Sequence, residues 1–183
     1  MKKTILTFGL ISGAVISVLM CATLPFADHI GHSLLVGYTT MILAFLLVYF
    51  GIRSYRDNFG DGRISFGKAF VIGISITLIC CVCYVVTWEI LYFKFMPDFM
   101  DKYGAAAIQK MQASGASAAA IQAKVEEIRR YKALEDNPLT NAAMTFIEPF
   151  PVGLVVSLIS AAILRRKPNS TTQPSQSQAT AAN

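Results

Sequence analysis

Charge is scarce in this chain: lysine, arginine, aspartate and glutamate together make up 15% of its 183 residues, where a soluble domain carries about 25%. Since 54% of the residues are hydrophobic and gathered into long blocks, the shortfall excludes an ordinary water-soluble core and points to lipid as the solvent. Histidine is limited to two residues and cysteine to four. Cys21, Cys80, Cys81 and Cys83 all fall inside apolar stretches with no histidine beside them, so neither a disulfide framework nor a zinc knuckle is implied. Also absent are a phosphate-binding glycine loop, a Gly-x-Ser-x-Gly elbow and a His-Glu-x-x-His pair. The formal charge of +5 comes without a basic stripe interleaved with aromatics, which excludes nucleic acid as a partner.

What the sequence does have is four apolar blocks long enough to cross a bilayer core of roughly 30 Å, which takes about 20 helical residues. They lie at about 5–24, 34–52, 69–93 and 139–164. Lys2 and Lys3 ahead of the first block would also suit a secretory signal peptide. Leu19 and Met20 before Cys21 are not the small residues of a lipoprotein cleavage site, and Leu24-Pro-Phe-Ala27 before Asp28 lacks an Ala-x-Ala pattern, so a retained span is expected. Lys2, Lys3, Arg53, Arg56, Arg63, Lys68, Arg165, Arg166 and Lys167 all fall on one side of this arrangement. Short loops rich in Lys and Arg resist translocation, so that side is expected to be the cytoplasm and to hold both termini.

The expected fold is therefore an all-α integral membrane protein of the inner membrane, a four-transmembrane-helix bundle over residues 1–167 with an extracytoplasmic helical hairpin at about 96–135. Met96, Met100, Tyr103, Ala107 and Met111 share one helical face, and Ile121, Val125, Ile128 and Tyr131 another. Between them Gly115 suits a helix end and Ser117 an N-cap; Asn137-Pro138 would open the fourth span and Ser65 would cap the third. Asp57-Asn58-Phe59-Gly60-Asp61-Gly62 loosely resembles a calcium loop, but Phe59 and Lys68 stand where ligands belong. Residues 168–183, with no apolar periodicity and no charge, are expected to be a disordered cytoplasmic tail.

Association in lipid depends on close approach at small residues. Gly9, Gly13 and Ser17 recur at four-residue spacing, as do Ala69, Gly73, Thr77 and Cys81, and Gly153, Ser157 and Ala161, so these stripes are expected to be helix-packing faces. Whether they meet within one chain or in a homo-oligomer stays open.

Ionisable groups in or near the hydrocarbon are rare and costly, which makes each a site candidate. Glu89 follows Lys68 by 21 residues and Glu148 precedes Arg165 by 17, about 31 and 25 Å along a helix, so both lie toward the outer face. Pro149 and Pro151 directly follow Glu148 and must disturb its helix. His29 and His32, three residues apart after Asp28, could join Glu89 and Glu148 as ligands of a divalent metal, although a solvated loop pair is the plainer reading. Trp88, Tyr84 and Tyr92 fit an interfacial aromatic belt.

At the fourth span the chain reads Asn137-Pro-Leu-Thr-Asn-Ala-Ala-Met-Thr-Phe-Ile-Glu-Pro-Phe-Pro-Val-Gly-Leu154 and ends Leu158-Ile-Ser-Ala-Ala-Ile-Leu-Arg-Arg-Lys167. With Gly62-Arg-Ile-Ser-Phe-Gly-Lys-Ala-Phe70 and Phe99-Met-Asp-Lys-Tyr103, it resembles the domain-of-unknown-function family 4199. The resemblance implies a four-span inner-membrane protein of Gram-negative bacteria and no activity, cofactor or catalytic residue. The leading expectation is a non-enzymatic accessory or interaction protein that meets a membrane or periplasmic partner through its hairpin. A small-solute or ion transporter using Glu148 and Glu89, and a metal-dependent sensor or enzyme using His29 and His32, are the alternatives.

Overall fold

The structure is a computed structural model, and it describes residues 1–23 and 34–166. Every regular element among these is helical: α1 (Lys2–Thr23), α2 (Leu34–Phe59), α3 (Phe66–Ile90), α4 (Phe99–Ala113), α5 (Ala118–Glu135), α6 (Pro138–Ile147) and α7 (Pro149–Leu164). Four helical stretches are long and apolar enough to cross a membrane: Lys2–Ala22, Gly37–Phe59, Phe66–Phe95 and Pro138–Leu164, the last comprising α6 and α7. A helix satisfies its own backbone, the condition for an apolar segment to lie in lipid.

Contacts along the helices set their directions. Gly9 lies against Ile79, Gly13 against Cys83, and Ser17 shares a hydrogen bond with Thr87, so α1 and α3 run parallel. Ser12 donates to the Ala44 carbonyl at 2.7 Å while Gly51 faces Phe8, so α2 runs back against α1. Thr77 meets Gly153 and Ser157, and Tyr84 meets Glu148, so α7 with α6 runs antiparallel to α3. Lys2, Arg53, Arg56, Arg63, Lys68, Arg165 and Arg166 therefore gather at one end of the bundle, the basic end, and the hairpin formed by α4 and α5 stands at the other. An antiparallel backbone bridge joins Ile64 to Arg166 at the basic end.

The core is apolar and tightly filled by Ile16, Phe45, Val48, Ile52, Ile72, Ile76, Cys80 and Ala161. A methyl group on Gly153 would come within 2.3 Å of Thr77 Cγ2, and one on Gly13 within 2.5 Å of Cys83 Sγ. Gly73 sits similarly between Ile52 and Ser157. Hydroxyls tie the same interfaces: Thr77 Oγ1 lies 3.1 Å from Ser157 Oγ, and Ser17 Oγ 2.7 Å from Thr87 Oγ1. In a bilayer such bonds contribute about 0.6 kcal/mol each, so the close packing matters more. All four cysteines are free; Cys80 and Cys81 are buried and Cys21 is exposed.

Helix ends follow local chemistry. Ser65 accepts from the Lys68 N–H at the start of α3, and Ser117 from the Ala120 N–H at the start of α5. Asn137 caps α6 through Leu139 and Thr140, with Pro138 in the first turn. The second helix outlasts the apolar block, reaching Phe59, because Asp57 pairs with Arg53 and Arg56 and Asn58 bonds back to the Ser54 carbonyl. The third continues past Ile90 as one wide turn, Leu91–Phe95, closed by Met96 N–H on the Leu91 carbonyl. Pro97 ends it, holding Met96 at φ −134° and ψ 54°. The fourth apolar block is two helices: Pro149 and Pro151 bring no N–H, and the ladder is interrupted at Glu148 although its φ and ψ stay helical.

Candidate functional site

At the hairpin end three separate elements bring carboxylates together. Glu89 comes from the last turns of α3, Glu135 and Asp136 from the end of α5, and Glu148 from the junction of α6 and α7. Their positions are set by neutral donors. Asn141, fully buried, donates through Nδ2 to both the Glu135 carbonyl and Glu135 Oε2 at 3.0 Å. Thr145 Oγ1 donates in turn to Asn141 Oδ1 at 3.1 Å, which fixes the amide's orientation. Tyr84 donates to Glu148 Oε2 at 3.0 Å, and Tyr92 to Asp136 Oδ1 at 3.4 Å. Glu89 Oε1 is out of contact with solvent and has no hydrogen-bond partner among the described residues.

Burial, followed by the charges of Glu89, Glu148 and Asp136, pushes the Glu135 carboxyl above the usual carboxylate range. Nearby Lys132 is already taken by Asp101 across the hairpin, which raises the lysine above its ordinary value. The junction is thus rich in acid.

The turn from α5 into α6 is braced locally by Thr140, whose hydroxyl bonds to the Leu134 and Asn137 carbonyls. On its other side the hairpin is anchored by rings: Trp88 meets Phe99 edge-on at 5.4 Å, and Tyr92 lies 6.2 Å from the same ring. Tyr84, Trp88 and Tyr92 therefore join the hairpin and the kinked fourth span to α3 as well as lying near the end of the bundle. Within the hairpin, Gly104 lets Ile128 approach to 2.9 Å of where a Cβ would be. A groove of about 360 Å³ opens between α4 and α5, lined by Phe99, Met100, Tyr103, Ile128, Tyr131 and Lys124 among others.

Of the residues singled out from the sequence, Glu89 and Glu148 belong to this junction, with Pro149 buried immediately after Glu148 and Pro151 exposed. His29 and His32 lie outside the described residues, as does the 168–183 tail. Among the described residues no three His, Cys, Asp or Glu side chains are grouped closely enough to hold a metal ion. No helical period points to Glu135 and Asn141 as neighbours, because the turn between α5 and α6 brings 135 beside 141.

A family model described as "Protein of unknown function (DUF4199)" matches residues 7–166. Neither a curated protein nor a solved structure matches the chain.

Proposed function

Since the chain belongs to the DUF4199 family, whose function is unknown, its role has to be read from its own residues, and we propose that it is a non-enzymatic accessory protein of a bacterial inner membrane. In this reading the basic end faces the cytoplasm with both termini, and the hairpin stands on the opposite side, where it docks a membrane or periplasmic protein. The observation that carries it is α5: an 18-residue helix with no buried residue. Val125, Tyr131 and Leu134 stay 40%, 48% and 45% exposed on it, apolar surface that the chain's own packing leaves uncovered. A photo-crosslinking side chain at Leu134 or Val125, activated in native membranes, should give one discrete protein adduct, and the same probe at Lys110 much less. Lipid adducts alone would contradict the reading.

A second reading, transport of a small solute or ion by Glu148 and Glu89, is favoured by Glu89 Oε1, which has no partner among the described residues, and by the helix interruption at Glu148. Broken helices line pathways in transporters. Proteoliposome flux that Glu148→Gln abolishes, with the variant still folded, would support it; no flux from the unaltered protein removes it.

A further inference from the structure

Among the described residues the basic end holds eight Lys and Arg side chains, Lys2, Lys3, Arg53, Arg56, Arg63, Lys68, Arg165 and Arg166, against two acids, Asp57 and Asp61. Asp57 is committed to Arg53 and Arg56, at 3.5 and 2.7 Å. Lys68 lies over the Tyr55 ring, 5.2 Å from its centre. Arg63, Arg165 and Arg166 are all exposed and have no acidic partner among the described residues.

The backbone segments that carry these three are nevertheless held together. The Arg166 N–H donates to the Ile64 carbonyl at 3.0 Å, fastening the end of α7 to the link between α2 and α3. The link is itself rigidly folded: Arg63 N–H bonds to the Gly60 carbonyl at 2.8 Å, Gly62 takes the positive φ of a tight turn, and Ile64 is buried. Two cationic stretches distant in sequence are thus clamped side by side at a cost in like-charge repulsion, and among the described residues neither Asp57 nor Asp61 pairs with them. The clamp lies just beyond the apolar limits Phe66 and Leu164 of two helices long and apolar enough to cross a membrane, where a bilayer matched to those limits would place its phosphates.

We propose that Arg63, Arg165 and Arg166 form a binding site for the phosphodiester headgroup of an anionic phospholipid. Guanidinium forks match phosphate oxygens in pairs, and a basic pocket between membrane helices is suited to such headgroups. The bound lipid offsets part of the clamp's charge and so holds the α2–α3 link to the end of the fourth span, while its acyl chains lie along α3 and α7.

The test uses the full chain in neutral detergent, titrated with phosphatidylglycerol, phosphatidylcholine or inorganic phosphate and followed by native mass spectrometry and thermal unfolding. Each guanidinium near the headgroups adds roughly a few-fold in affinity, so phosphatidylglycerol should bind at least about tenfold tighter than phosphatidylcholine and raise the unfolding temperature. The triple variant Arg63→Gln, Arg165→Gln, Arg166→Gln should bind both lipids alike, and the triple lysine variant should keep part of the preference. Equal binding of both lipids by the unaltered chain, or a preference that survives the glutamine variant, overturns the site. Inorganic phosphate that stabilises equally and displaces the lipid overturns the lipid assignment. Should the glutamine variant fail to fold, the lipid comparison on the unaltered chain and the lysine variant still decides.

Discussion

The two ends of this molecule are built on different principles. Within the bundle, helices meet at glycines and hydroxyls, and side chains such as Phe45, Ile52, Ile72 and Ile76 are fully buried. In the hairpin, α4 buries only Met100 and Gly104, and α5 buries nothing. A close-packed region tolerates little change in volume, whereas one with few buried contacts opens locally at small cost. The bundle is thus the scaffold and the hairpin the adaptable part, joined through Trp88, Tyr92, Glu135 and Asn141.

Gly153→Val should produce the largest effect and strike the scaffold side of this contrast. Its side chain would overlap Thr77 and Phe45, so a loss of about 3 kcal/mol or more is expected, read as loss of a monodisperse species in detergent. Retention of wild-type stability would mean that the helices do not pack at this glycine.

Asn141→Ala comes next and strikes the joint. It strips Glu135 of its donor and leaves Thr145 Oγ1 without its acceptor, at a cost of about 1–3 kcal/mol. Hydrogen exchange should quicken in α5 and α6 and stay unchanged in α1. Uniform acceleration throughout would show the two regions to be one cooperative unit.

Acidity should tune the joint more gently. The Glu135 carboxyl is held above its ordinary range when docked, so the docked hairpin binds the proton more tightly than an undocked one. Docking is then strongest below the ordinary glutamate range and weakens as pH rises through the raised value. Glu135 is only partly buried, so with solvent screening the change is a few tenths of a kcal/mol. Spin-label distances from Lys110 to Val156 should broaden between pH 4 and 8 in the unaltered chain and stay constant in Glu135→Gln. Smallest of all, Lys132→Ala removes an exposed pair with Asp101 and should leave both exchange and stability unchanged within error.

The scaffold was far more legible in the sequence than the joint. Uninterrupted apolar blocks announce membrane-length helices, and Ser65, Ser117 and Asn137 announce helix starts because capping needs only a local oxygen and the next turn's N–H groups. The extension of α2 to Phe59 has no apolar signature, since it rests on the Asp57 pairs and the Asn58 back-bond. In the hairpin the inward roles of Met100 and Ile128 follow from period, whereas Val125 stays exposed and Tyr131 borders the open groove between α4 and α5, because the close approach is set by Gly104. The Glu135–Asn141 bond has no periodic signature at all, since it depends on how the turn at Asp136 and Asn137 folds back.

The proposed arrangement puts the basic end and the hairpin on opposite sides of one bilayer. In a background lacking the four native cysteines, a single cysteine at Gly115 should react with a membrane-impermeant maleimide added outside intact cells whose outer barrier is opened. A cysteine at Arg63 should react only after the inner membrane is permeabilised. Labelling of both from the same side, or of Arg63 alone in intact cells, would contradict it.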